Sequence, residues 1–74
     1  MSSTIDATGY NCPIPVLKAR KALKSMEPGS EITVLATDPA SAIDIPHFCN
    51  TTGNELIDQS ETDGIYTYRI RKGR

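Results

Sequence analysis

The chain has 74 residues and a formal net charge of -1. This length is near the size at which one hydrophobic core gives only marginal stability, so we expect a single domain over residues 1–74. No apolar run is long enough to cross a membrane, and the opening MSSTID lacks the basic and apolar parts of a signal peptide. These features favour a cytosolic protein and exclude a membrane-spanning one.

The predicted elements begin with a short strand over residues 3–7, which ends at Gly9. A helical pattern follows over residues 13–26, and Pro28-Gly29 closes it. Residues 31–37 alternate between apolar and polar side chains, which predicts a strand with one buried face.

The second half of the chain is predicted to hold a helix and two strands. Asp38 is the expected N-cap of the second helix, and Gly53 stops it after Thr52. Because Pro46 lacks an N–H, we expect this helix to break within residues 44–46. Strands over 54–61 and 65–71 are predicted to form a hairpin at Asp63-Gly64.

The resulting order is β-α-β-α-β-β, which predicts an α+β fold. Parallel strands joined through a helix need a right-handed crossover, and two helices can cover one face of a mixed four-stranded sheet as a two-layer sandwich. In the last strand Tyr66, Tyr68 and Ile70 alternate with polar residues. The apolar set should therefore face the helices, while the other face of the sheet meets water or a partner.

The charges are segregated along the chain. The basic residues form one group over 18–24 and another over 69–74, and eight of the nine acidic residues lie between them. Two interpretations are open. The charges either occupy solvated faces, or a basic helix and a basic tail steer an acidic partner or RNA towards the protein.

The two cysteines, Cys12 and Cys49, are interpreted as free thiols, since the cytosol keeps thiols reduced. Cys49 would lie roughly 16 Å down the second helix from Asp38. The two predicted helices start at the same end of the sheet, so this length separates Cys49 from Cys12 at the start of the first helix. A disulfide needs Cα atoms within about 7 Å, so a bridge between the two cysteines is disfavoured. A zinc site with His47 is also disfavoured, because residues two apart on a helix diverge. Cys49 is best explained as a small core residue.

Cys12 stands directly before Pro13 at the predicted start of the first helix. If it is the N-cap, its sulfur faces the positive end of the helix dipole, which lowers a thiol pKa. The two prolines remove backbone donors and leave the N–H groups of Ile14 and Val16, so we expect a moderate depression, to which Lys18 can add. Pro13 and Pro15 also stiffen the turn that presents the sulfur.

Pro15 occupies the position at which a Cys-x-x-Cys redox motif would carry its second thiol. Cys12 without a resolving thiol can hold a labile cargo, such as a sulfur atom bound as a persulfide. The only histidine is His47, so nothing in the sequence surrounds Cys12 with a protease-like catalytic set. The alternative is an ordinary buried cysteine at a helix start.

The segment DATGYNCPIPVLKARKAL resembles the D-x-x-G-x-x-C-P-x-P signature of the TusA family of sulfur carrier proteins. ATDPASAIDIPHFCNTTGNEL and ETDGIYTYRIRKG resemble that family's second helix and last hairpin, so the similarity covers nearly the whole chain. Tyr10 departs from the family, where a smaller aliphatic residue is usual. The resemblance implies a β-α-β-α-β-β sandwich that acts as a sulfurtransferase through a persulfide on Cys12.

The resemblance also implies partners. The best-known type of member takes sulfur from a cysteine desulfurase, which carries the pyridoxal phosphate, and passes it down a relay that thiolates the wobble uridine of certain tRNAs. Other members serve sulfur oxidation or molybdenum cofactor synthesis, and the local motif does not separate these destinations. We expect this chain to bind no cofactor, no metal and no DNA, and to be a monomer in solution.

Supporting roles follow from position. Gly9 permits the backbone of the turn, and Asp6 is expected to anchor the first strand or the loop. The first helix should pack on the sheet through Val16, Ala19, Ala22, Leu23 and Met26. Ile14 and Leu17 point elsewhere, among Lys18, Lys21 and Lys24. The candidate partner-docking surface consists of Ile14, Leu17, Lys18 and Lys21. Alternatively, Leu17 is a scattered exposed side chain.

Two other functions compete with a sulfur carrier. A small RNA-binding or regulatory module could use the basic helix with Tyr66 and Tyr68 as a stacking platform. The slightly acidic net charge and the predicted burial of both tyrosines oppose it. A reductase or peroxidase that uses Cys12 is disfavoured by the missing resolving thiol.

Overall fold

A computed structural model describes residues 2–11 and 13–73 of the chain. Its elements follow the predicted order: β1 Ser2–Ala7, α1 Ile14–Lys24, β2 Glu31–Ala36, α2 Ser41–Thr52, β3 Glu55–Thr62 and β4 Ile65–Arg71. None of the described helices is long and apolar enough to cross a membrane.

The four strands form one mixed sheet in the order β1-β2-β4-β3. β1 runs parallel to β2, whereas β4 is antiparallel to both of its neighbours. In this register Val34 of β2 lies between Ile5 and Tyr68. The β3–β4 hairpin joins the sheet through the pairing of β4 with β2, so β1 and β3 are the two edges of the sheet.

The hydrophobic core lies between the sheet and the two helices. β2 shows the predicted alternation, with Ile32, Val34 and Ala36 fully buried. The remaining buried members of the core come from α1, α2 and β4: Ala19, Leu23, Ile45, Phe48, Cys49, Tyr68 and Ile70. Since burial of each large apolar side chain stabilises the fold by about 1.5–3 kcal/mol, this cluster is the main source of stability. The predicted α+β sandwich is confirmed.

α1 is shorter than predicted at both ends. It begins at Ile14, because Pro13 has φ -99° and ψ 18° and forms the N-cap. It ends at Lys24, where the N–H groups of Ser25 and Met26 bond three residues back, to Ala22 and Leu23, in a tightened last turn. The expectation that Cys12 is the N-cap residue is therefore wrong.

α2 begins at Ser41, with Ala40 as its N-cap, rather than at Pro39. Asp38 still organises the start, since its Oδ1 accepts the N–H of Ala40 at 3.1 Å. Its backbone carbonyl accepts the N–H of Ser41 at 3.0 Å, so a tight turn precedes the first helical residue. The prediction that Asp38 is the N-cap is therefore wrong, although its side chain closes the turn that precedes the helix.

The predicted break in α2 is absent, and the helix runs continuously through Pro46 to Thr52. Proline removes one hydrogen bond from a helix interior. Here that loss is offset by packing, because Ile45 is fully buried and Phe48 nearly so on the same helix. Gly53 has φ 77° and ends the helix as predicted.

The β3–β4 hairpin confirms the Asp63-Gly64 prediction. Both residues have positive φ, 52° and 79°, as a two-residue type I′ turn requires. β3 begins and ends one residue later than predicted, and a bulge interrupts its pairing between Leu56 and Asp58.

Charged side chains cover part of the sheet face that the helices leave open. Arg69 donates to Glu31 at 2.7 Å, and Arg71 bonds Glu31 at 3.3 Å and Glu55 at 3.2 Å. The bonds from Arg71 and then Arg69 lower the pKa of the Glu31 carboxyl. Two arginines of the proposed basic tail are thus engaged within the sheet, which leaves α1 as the main basic surface.

Candidate functional site

The turn after β1 is held by two side chains. The Oδ1 of Asp6 accepts the N–H of Thr8 at 3.0 Å and its hydroxyl at 2.6 Å, and these bonds lower the pKa of the Asp6 carboxyl. Gly9 has φ 82°, and its N–H donates to the Oγ1 of Thr37 at 2.9 Å. The loop that leads to Cys12 is therefore tied to the residue that follows β2.

The start of α1 is closed by backbone hydrogen bonds. The N–H of Ile14 donates to the carbonyl of Asn11 at 2.9 Å, and that of Leu17 donates to the carbonyl of Pro13 at 3.0 Å. The N–H of Ile14, expected to remain available at the helix start, thus has an acceptor. Pro15 is fully buried, so it anchors this end of the helix in addition to restricting its backbone.

Cys12, the predicted sulfur-carrying residue, lies outside the described residues. Its two neighbours in the chain, Asn11 and Pro13, are described and exposed. The prediction that Cys12 carries the reactive thiol stays a prediction, and the geometry around it is that of the anchored turn and the first residues of α1.

Tyr10 is bound to α1 through Lys18. The Nζ of Lys18 lies 4.7 Å from the centroid of the Tyr10 ring, which is the geometry of a cation–π contact. The tyrosine is 47% exposed, so its ring forms part of the surface beside the turn. Tyr10, which departs from the TusA pattern, thus positions the ammonium group of Lys18, a residue of the candidate docking surface.

The four candidate docking residues occupy the outward side of α1. Leu17 is 49% exposed, while Ile14 and Lys18 are half-buried and Lys21 is exposed. The predicted core face of the helix is confirmed, since the side chains of Ala19 and Leu23 are buried. Val16, Ala22 and Met26 are partly buried against that core.

A groove between α1 and α2 was not anticipated from the sequence. It has a volume of about 280 Å³ and is lined by Pro13, Val16, Asp44, His47, Phe48 and Thr51. The α2 members have the spacing i, i+3, i+4 and i+7, which places them on one face of that helix. The spacing could have indicated this shared face from the sequence, but it applies only to a continuous helix, and a break was expected at Pro46.

The second cysteine is in the core. Cys49 is 3% exposed with a free thiol, and burial raises its pKa to about 11. His47, two residues earlier, is exposed, so the two side chains do not converge. The prediction that Cys49 is a packing residue is confirmed.

The tyrosines of β4 do not form an open platform for bases. Tyr68 is 1% exposed, and its hydroxyl lies 2.7 Å from that of Ser41 in a buried hydrogen bond. Tyr66 is half-buried, with its ring stacked at 6.5 Å from that of Tyr68. Their predicted position under the helices is confirmed, which removes the stacking surface that an RNA-binding module would need.

Comparison with known proteins gives consistent matches over almost the whole chain. The sequence matches the family described as Sulfurtransferase TusA over residues 3–72. A protein from Neisseria meningitidis serogroup A is 50% identical over 70 residues, which cover 95% of each chain. The sulfur carrier protein TusA of Pseudomonas fluorescens is 46% identical over 72 residues, with 97% of this chain and 87% of that protein covered.

The fold has a solved counterpart. The crystal structure of a SirA-like protein from Desulfitobacterium hafniense superposes with a TM-score of 0.84 at 35% identity and covers 97% of this chain and 99% of that one. The family match begins within β1 and extends past the end of β4, and the aligned regions cover 95% and 87% of the two relatives. The chain therefore belongs to the TusA family.

Proposed function

We propose that this chain is a sulfur carrier and sulfurtransferase, acting as a single TusA-like domain, that holds sulfane sulfur as a persulfide on Cys12. The observation that carries the proposal is the contrast between its two cysteines. Cys49 is buried with a thiol pKa of about 11, so it is unsuited to accept sulfur. Cys12 follows the anchored turn and precedes the two prolines of the family motif.

The transfer is a thiol exchange at sulfur. The Cys12 thiolate attacks the terminal sulfur of a donor persulfide, the donor's S–S bond breaks, and the donor leaves as a thiolate. Cys12 then carries the S–S–H group with its proton. In the second step an acceptor thiolate attacks that terminal sulfur, and Cys12 is released as a thiolate. No external oxidant or reductant is consumed in either step.

Gly9, Pro13 and Pro15 are proposed to support this chemistry by keeping the turn stiff. Gly9 takes a left-handed backbone and bonds Thr37, while Pro15 is packed into the core. A rigid turn limits the loss of conformational entropy when a partner's persulfide approaches. The N–H of Ile14, one of the two donors expected to be available at the helix start, already donates to the carbonyl of Asn11.

The donor and acceptor proteins are proposed to dock on Ile14, Leu17, Lys18 and Lys21. An exposed leucine inside a basic rim has the composition of a protein contact, with an apolar centre and charges that steer an acidic partner. Tyr10 holds Lys18 at this rim.

The proposed donor is a cysteine desulfurase that carries its own pyridoxal phosphate, and the proposed destination is the cytoplasmic relay for 2-thiolation of tRNA wobble uridine. A role in sulfur oxidation or molybdenum cofactor synthesis is the alternative within the same chemistry. The chain is proposed to act without a cofactor and as a monomer.

The test is the intact mass of the protein after incubation with a cysteine desulfurase and cysteine. The wild-type chain is compared with Cys12→Ser and with Cys49→Ala, a substitution that introduces no polar group into the core. The proposal predicts the gain of one reducible sulfur atom in wild type and in Cys49→Ala, and no gain in Cys12→Ser. Loading at Cys49, or none with several desulfurases, would overturn it.

A further inference from the structure

β1 is an open edge of the sheet. Its six residues pair in parallel with β2, and no strand of the described chain lies on its other side. An edge of this kind presents unpaired backbone N–H and C=O groups, to which an extended chain can add.

The other edge is protected in ways that β1 is not. β3 carries a bulge between Leu56 and Asp58, and its exposed side chains include Glu55, Asp58 and Glu61. Bulges and charges are devices that prevent pairing at a sheet edge. β1 has the sequence SSTIDA, with regular pairing along its length and one charged side chain, Asp6, whose carboxylate bonds Thr8.

A basic groove lies between this edge and α1. It has a volume of about 560 Å³, with Ile5 on the β1 side and Lys18, Lys21, Ala22, Lys24 and Ser25 on the helix side. Among the residues that the structure describes, none of the three lysines forms a salt bridge. Lys18 also contacts an aromatic ring, that of Tyr10. The groove therefore combines an apolar floor with positive charge, part of which, at Lys18, is offset by the nearby Asp6 carboxylate.

We propose that β1 and this groove bind an extended, acidic segment of a partner protein, which adds to the sheet as a fifth strand. Backbone hydrogen bonds to β1 would hold the segment. Its alternate side chains, on the helix side, would be carboxylates facing Lys18, Lys21 and Lys24. The interaction surface extends beyond the docking residues of the proposed function, because it includes a strand and Lys24.

A second copy of the chain fits this edge less well. Pairing β1 with β1 of another molecule would bring the lysines of both α1 helices to the same side of the joined sheet, where like charges repel. The acidic edge strand β3 of another copy has the matching charge, but its bulge interrupts regular pairing.

The experiment measures hydrogen exchange and chemical shifts of the backbone amides by NMR on the full chain. The probe is an acetylated and amidated eight-residue peptide in which glutamate alternates with valine. We expect slower exchange at alternate amides of β1 when the peptide is added. The same peptide with alternate backbone amides N-methylated should bind about tenfold more weakly, as should a peptide with lysine in place of glutamate.

The protein variants are matched in charge. Lys24→Glu should weaken peptide binding about tenfold. The control is the double variant Gln59→Glu/Thr62→Glu on exposed positions of β3. It changes the net charge by the same amount as Lys24→Glu and should bind the peptide as the wild-type protein does.

Three results would overturn the proposal: unchanged β1 amides, equal protection by an eight-nucleotide single-stranded RNA, or protection of β1 by raising the protein concentration alone. The readout involves no sulfur transfer, so its failure is distinguishable from failure of Cys12 to load.

Discussion

The N–H of Gly9 donates to the Oγ1 of Thr37 at 2.9 Å, which joins the turn after β1 to the chain after β2. The two residues are 28 positions apart, so only the parallel pairing of the two strands brings them together. This hydrogen bond fixes the loop immediately before the proposed sulfur-carrying residue. It links the sheet to the site.

Thr37→Val removes the acceptor and should destabilise the protein by about 0.5–1.5 kcal/mol, the usual net value of one hydrogen bond. If the bond also holds the turn, the rate of sulfur loading should fall. Urea unfolding and time-resolved intact mass measure the two effects. Thr62→Val on exposed β3 is the control, and equal behaviour of the two variants would contradict the assigned role.

Lys21→Glu tests the docking surface. Reversing an exposed charge beside Leu17 should slow transfer from a desulfurase at low salt, and the difference should shrink as salt screens the charges. The double variant Gln59→Glu/Thr62→Glu changes the net charge equally, far from α1 in the sequence, and should transfer normally. Unchanged rates for Lys21→Glu at low ionic strength would contradict docking at this surface.

Gly73→Ala and Gly29→Ala should differ in their mechanism of destabilisation. A Cβ at position 73 would collide with the backbone carbonyl of Gly53, whereas one at position 29 meets nothing within 4 Å. The first variant should lose about 1–3 kcal/mol through forced displacement and also shift the amide resonances of Gly53 and Asn54.

Gly29 has φ 90°, so its replacement should cost about 1–2 kcal/mol from backbone strain alone. Its effect on amide resonances should be confined to the α1–β2 turn and to Lys72, whose carbonyl accepts the N–H of Gly29 at 2.9 Å. Unfolding curves and NMR spectra of the two variants distinguish the cases. Normal stability and unchanged Gly53 resonances in Gly73→Ala would contradict the close approach.

Acid should weaken the ion pairs on the open face of the sheet. Arg71 and Arg69 lower the pKa of Glu31, so the folded state binds a proton there less readily than the unfolded chain. The stabilisation is present above the ordinary glutamate pKa and is lost as the pH falls through the lower, folded value. Arg71→Gln should therefore show a smaller loss of stability between neutral and acid pH. Urea unfolding across that range measures it, with Lys24→Gln as the control.

Alkaline pH should destabilise the folded protein through ionisation of Cys49. Burial raises its thiol pKa from 9.0 to about 11, so the folded state retains a proton that the unfolded state releases. Stability should then fall as the pH rises from about 9 through the folded value near 11. Burial also raises the pKa of Tyr68, so the contribution of Cys49 is the difference between wild type and Cys49→Ala.

The same burial protects Cys49 from reagents at pH 8. In Cys12→Ser its thiolate fraction should be about 100-fold below that of an ordinary thiol, so alkylation by iodoacetamide should require unfolding. Mass spectrometry with and without urea measures this. Rapid alkylation of the folded variant would contradict the buried environment.

Local chemistry determined much of this protein. Asp63-Gly64 specified the hairpin because its turn needs two positive φ angles, and Gly53 ended α2 for a similar reason. The period-two pattern placed Tyr68 and Ile70 in the core. The motif around Cys12 indicated the family, which the comparisons confirmed.

Tertiary packing decided the rest. Pro46 remains inside a continuous α2 because buried neighbours offset its missing hydrogen bond, which no local rule anticipates. The strand order placed Glu31 beside Arg71 and left β1 as an edge beside three lysines. These relationships join residues that are distant in sequence, so they exist only once the strands have paired and the helices have packed on the sheet.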